Sequence, residues 1–193
     1  MTKTTLALFL GLVACGGGKK SEPAKPIDAA AVNALVPAAL KDKVVFEQRS
    51  FELKMGKHGT TYTVALPKNW KQQSEMFGNF HGDDKAGFMS AMTVGSNCNG
   101  ECKEKDWAAE SDKADFAPLA KGKVLKDDKA KGRRTMIAET GGDSMKQTIV
   151  VTAWWTDGDK NYHHCRAELD EAIKDAAPAF EKACAIVNID GDD

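Results

Sequence analysis

The longest apolar run in the chain, Thr5 to Ala14 (TLALFLGLVA), has ten residues. A bilayer-spanning helix needs about twenty, so this run is too short to span. Lys3 and the amino terminus precede it, and together they read as an export signal. Beyond it the pattern turns polar, then periodic. Asp28 is placed to cap a short Ala-rich helix, and Pro37 suits the first turn of another, so this lead-in reads as helical and loosely attached. From Lys43 the period becomes two. Val44–Leu53, Thr60–Leu66 (TTYTVAL) and Ala86–Val94 predict strands, with a turn over Gly56–Gly59. Glu104–Phe116 fits a helix with Trp107, Ala108 and Ser111 near one face. Gly122–Leu125 and Arg133–Thr140 are two further strands. Gln147–Thr156 (QTIVVTAWWT) is the strongest strand pattern, and Asp157-Gly158-Asp159 makes a hairpin to a return strand over Tyr162–Leu169. Asp170–Val187 reads as helical, bent or broken at Pro178, and Asp190–Asp193 as a frayed acidic tail.

Strands, helix, strands, helix predict an α+β fold: an antiparallel β-sheet with helices packed on it. The chain of 193 residues suits one domain with a leader and a tether. The expected division is a signal peptide over 1–14, a modified cysteine, tether and helical lead-in over 15–39, and one α+β domain over 40–193. The segment from Gly16 to Pro26 has no apolar periodicity and reads as a flexible coil about 20 Å end to end.

Leu12-Val13-Ala14-Cys15 resembles the lipobox of bacterial lipoproteins. The resemblance implies a diacylglycerol on the Cys15 sulfur, cleavage before Cys15, and acylation of the new amine. Two or more acyl chains anchor firmly where one is marginal. Gly16 stands where an aspartate would signal inner-membrane retention in such lipoproteins, so the resemblance implies the outer membrane, facing the periplasm. A second resemblance rests on "TYTVALPKNWK" (Thr61–Lys71), a strand followed by Pro-x-x-Trp, and on the closing strand, hairpin, strand and helix over Gln147–Ile189. These are similar to PsbP-like domains and imply an α/β/α sandwich. They imply no metal or partner residues.

Charge and cysteines narrow the chemistry. A formal net charge of −1 offers no electrostatic argument for nucleic acid. With Cys15 acylated, Cys98, Cys102, Cys165 and Cys184 remain, an even set in an exported chain. Of three connectivities we favour Cys98–Cys102, across the Asn99-Gly100-Glu101 turn, and Cys165–Cys184, tying the last long strand to the closing helix. Redox catalysis would want two intervening residues rather than three. Zinc would draw on Cys98, Cys102, His163 and Cys165, but strand alternation separates His164 from His163, and an oxidising compartment opposes free thiolates. No nucleophile elbow, phosphate loop or haem site occurs. "HGDDK" (His81–Lys85) and "ETGGDSM" (Glu139–Met145) read as surface loop and hairpin turn. Trp154 and Trp155, adjacent in a strand, point to opposite faces and read as core. The expected function is therefore a non-enzymatic envelope lipoprotein that needs no cofactor. It holds the bilayer through Cys15 and binds or helps assemble another envelope component. The alternative is a metal-dependent or enzymatic protein using the His/Cys cluster.

Overall fold

The computed structural model describes residues 26–55, 58–74, 77–82, 90–96, 103–141, 146–156 and 161–191. The fold is α+β with antiparallel sheets and few helices, as the element order predicts. Among the described residues two sheets form rather than one. The smaller orders β1 (Phe46–Met55), β2 (His58–Pro67) and β10 (Asn188–Gly191), with β2 central. The larger has seven strands in the order β3-β4-β5-β9-β8-β7-β6. Its members are β3 (Lys71–Ser74), β4 (Phe77–His81), β5 (Ala91–Ser96), β6 (Lys123–Ala130), β7 (Arg133–Thr140), β8 (Gln147–Thr156) and β9 (Asn161–Asp170).

Strands β8 and β9 sit inside the larger sheet, and both faces of their pairing are covered. That is why QTIVVTAWW reads as nearly continuous rather than alternating apolar sequence. On one face lie the smaller sheet, α1 (Ala29–Asn33) and α3 (Ala177–Ala185). Phe180 of α3 is fully buried there, edge-on to Phe46 at 4.9 Å and beside Trp70 at 5.4 Å. A fully buried phenylalanine contributes roughly 2–3 kcal/mol by area alone. On the other face, α2 (Trp107–Ser111) and the turns after it bring Phe116 and Leu119 onto Met136, Ala138, Ile149, Val151 and Ala153.

The Pro-x-x-Trp motif has a plain physical role. Pro67 ends β2, the Trp70 N–H donates to the Pro67 carbonyl at 3.0 Å, and the tight turn drops the Trp70 ring into the core at 6% exposure. Gly132 makes the β6–β7 turn at φ 71°, a left-handed conformation that favours glycine.

Four expectations are corrected. The lead-in is not loosely attached: Val32, Val36 and Leu40 are buried in the main core, and the Asn33 carboxamide clasps both backbone groups of Phe46 at 2.7 and 2.9 Å. Pro178 does not break the closing helix but starts it, standing in the first turn of α3, where a missing N–H costs nothing. Asp190 is not frayed: Asn188–Gly191 pairs with Thr63–Thr60 of β2. The strand expected over Gly122–Leu125 continues to Ala130, with a bulge between Val124 and Lys126. The hairpin turn at 157–159 and most of the strand start expected at 86–90 lie outside the described residues.

The Asp28 cap is present. Its carboxylate accepts from the Ala31 N–H at 2.9 Å, at the N-terminus of a five-residue helix. Asp28→Ala is expected to cost about 1 kcal/mol. Urea unfolding measures it, and an unchanged midpoint would mean that tertiary packing alone holds α1.

Candidate functional site

Alternation along β9 sorts its side chains into two environments. His163, Cys165, Ala167 and Leu169 face the smaller sheet and α3, whereas Tyr162, His164, Arg166 and Glu168 have the opposite parity. The separation of His163 and Cys165 from His164 is as the strand pattern predicts.

The first environment is structural. Cys165 and Cys184 form a disulfide, and both are fully buried. His163 is fully buried too, with the Tyr62 hydroxyl 2.9 Å from its Nδ1. Trp154 stacks on the His163 ring at 5.8 Å, and the Arg133 guanidinium lies over Trp154 at 5.4 Å. Arg133 Nη2 donates to the Ala185 carbonyl at 3.1 Å, a cation at the end of α3 where carbonyls need donors. The stack therefore locks α3 and β2 onto the central strands.

The second environment has titratable chemistry. After α2 the chain takes one wide helical turn over Asp112–Phe116, closed by the Ala117 N–H on the Asp112 carbonyl five residues back at 2.7 Å. Such π-type turns inside helices recur at functional sites. This one carries Asp115 into the interior at 7% exposure, where its Oδ2 is buried without a hydrogen-bond partner. Burial raises the Asp115 carboxyl to about 6, against the opposing pull of the Arg166 cation. His164, also within reach of the Arg166 charge, has a buried Nδ1 without a partner. Burial first, then the neighbouring His163 and Arg166, push its imidazole down to about 4. Arg166 itself donates to Glu168 at 2.7 Å. At neutral pH the arrangement holds a neutral imidazole, a carboxyl that titrates close to neutrality, and a guanidinium. It can accept and release a proton, and its two unmet polar atoms can take hydrogen bonds from water or a small polar group. Among the described residues it contains no nucleophile next to a base.

Beside it, Arg134 holds the wide turn to the sheet. Its guanidinium forks onto Asp127 at 2.9 and 3.0 Å, reaches Asp112, and lies 4.3 Å over the Phe116 ring.

The expected site residues fall as follows. The Cys165–Cys184 bridge is present. Cys15, Cys98 and Cys102 lie outside the described residues. The zinc set loses Cys165 to the disulfide, and its His163 Nδ1 is engaged with Tyr62. Among the described residues no three His, Cys, Asp or Glu side chains assemble into a metal-binding group. His81 pairs with Gln73 at 2.9 Å, and the rest of "HGDDK" bar Gly82 is undescribed. Glu139 closes β7 in an ion pair with Lys123 at 3.2 Å, and Gly141 turns at φ 95°. The two tryptophans take opposite faces, but both are half-buried rather than core. Asp115 and Arg166 were not singled out by sequence. A signal existed for the first: Trp107, Ser111 and Asp115 recur at spacings of four, and extending the apolar face by one more step reaches the carboxylate.

No family model matches the chain. No curated protein matches it significantly. Among solved structures, it is similar to the Ran-binding protein Mog1p of Saccharomyces cerevisiae, at 9% identity over 74% of this chain and 95% of that one, with a TM-score of 0.43. A point mutant of Mog1 matches at the same identity and TM-score, over 73% and 95%.

Proposed function

We propose that the chain is a lipid-anchored protein of the bacterial cell envelope, a non-enzymatic module with a PsbP-like arrangement that binds or helps assemble another envelope component. The observation that carries this reading is the Cys165–Cys184 disulfide in the middle of the core. Disulfides of this kind form and persist in oxidising compartments such as the periplasm and are rare in the cytosol. That agrees with the export signal and the Leu12–Cys15 lipobox pattern. Anchoring follows from acylation of Cys15, cleavage before it and a tether onto the domain. The polar set at Asp115, His164 and Arg166 suits recognition better than catalysis, because it holds one exchangeable proton and no activated nucleophile.

Cys15→Ser tests the anchor. Wild-type protein is expected to take up labelled palmitate and partition into the detergent phase, and the variant to do neither. Equal labelling and partitioning of the two would overturn the proposal. Crosslinking in intact cells, followed by identification of what co-purifies, tests the binding role. A protein that crosslinks to nothing in the envelope would remove it.

A further inference from the structure

We propose that the end of the smaller sheet where β1 begins and β2 ends is a membrane-apposed face that rests on an anionic lipid surface. The inference builds on the anchored reading above but concerns a different surface from the Asp115 site.

Among the described residues four large apolar side chains are more than two-fifths exposed: Leu35, Val45, Val124 and Leu125. The last two have a local cause, since they sit at the bulge of edge strand β6. Leu35 and Val45 have none, and the hydrogen bonds bring both to one end of the smaller sheet. Asn33 grips Phe46, so the turn carrying Leu35 lies against the start of β1. The Lys68 N–H donates to the Val45 carbonyl at 2.7 Å, and the Lys43 N–H to the Leu40 carbonyl at 2.9 Å. Lys43 and Lys41 stand two and four residues before Val45, Lys68 is bonded to the Val45 carbonyl, and all three are exposed. Of the carboxylates nearby, Asp42 is exposed, Asp28 caps α1, and Glu47 pairs with Arg49 at 2.9 Å.

The same end receives the chain from Cys15. The Ile27 N–H donates to the Gln48 side chain at 3.0 Å, two residues into β1, about 7 Å along the strand from Phe46. Only eleven residues separate Cys15 from Ile27, and they carry Lys19, Lys20 and Lys25 against Glu22. Short basic segments beside a membrane anchor are drawn to anionic headgroups. Lysines near exposed aliphatic side chains fit such a surface twice over, the ammonium groups at the phosphates and the aliphatic groups at the acyl boundary.

The test uses full-length protein extracted from a bacterial host and reconstituted with vesicles of phosphatidylethanolamine and phosphatidylglycerol, or of phosphatidylcholine alone. Flotation reads anchoring, and amine acetylation followed by mass spectrometry reads each lysine. On phosphatidylglycerol vesicles Lys41, Lys43 and Lys68 are expected to react roughly fivefold more slowly than on phosphatidylcholine, while Lys129 and Lys131 on the β6–β7 hairpin stay unchanged. Flotation on both vesicles with equal labelling overturns the face and leaves the anchor standing. Flotation only on phosphatidylglycerol, lost in high salt and with those lysines protected, overturns the anchor and supports the face. Flotation on neither overturns both.

Discussion

Replacing Asp115 with asparagine is expected to stabilise the protein by about 2–3 kcal/mol at pH 8 and by almost nothing at pH 4. The side chain is nearly isosteric, so packing is retained and only the proton changes. In the folded protein the carboxyl releases its proton at about 6, against an ordinary value of 3.8, because burial opposes the charge. Between pH 4 and 6 the folded state therefore holds a proton that the unfolded chain has lost. Stability falls as pH rises through that window and stays lowered above it. Asparagine removes that penalty. His164 acts in the opposite sense. Its imidazole is held down to about 4, so below pH 6.5 the unfolded chain gains a proton that the folded state refuses. Its contribution is present at neutral pH and is lost as pH falls toward 4. The two slopes oppose each other in the wild type across this range. Asp115→Asn exposes the His164 slope alone, and its stability is expected to drop more steeply toward acid than the wild type's. Urea midpoints at pH 4, 6 and 8 measure this. A stability difference independent of pH would show that Asp115 is solvated in the folded protein.

The second large effect is at the disulfide. Changing both Cys165 and Cys184 to alanine is expected to cost about 3 kcal/mol, the chain entropy released by opening a loop of 19 residues' separation. For a domain of this size that lowers the melting temperature by roughly 10 °C. The bridge joins α3 to β9, and it is fully buried, so a reductant should reach it only through opening of the core. Thermal unfolding with and without dithiothreitol measures both points. Identical melting of the oxidised wild type and the double alanine variant would remove the bridge as a stabilising element.

How far these features were readable from the chain depends on their range. The Gln147–Thr156 strand has the bounds its pattern predicts, because its run is long, β-branched and aromatic, and the return strand, paired with it from end to end, differs by one residue at each end. The Cys165–Cys184 bridge was legible because few pairings were open. The β3–β4 hairpin was not, since Lys71–Ser74 (KQQS) is an edge strand with only one paired side and no apolar face to reveal it. Asp190–Asp193 read as an acidic tail because the strand that takes in Asp190 and Gly191, Asn188–Gly191, gains its geometry only by pairing with β2. Asp115 lay in a helical pattern, and only its four-residue spacing from Trp107 and Ser111 pointed it inward.

Sequence alone determined the α+β class, the main strands and the partition of β9 into two faces. Those follow from alternation and backbone sterics between residues a few positions apart. Tertiary structure alone decided that the Ala-rich lead-in belongs to the core, that Pro178 begins a helix, and that Asp115 and His164 share the field of Arg166. Each of those depends on groups far apart in the chain, and burial, which sets both packing energy and proton affinity, exists only once they meet.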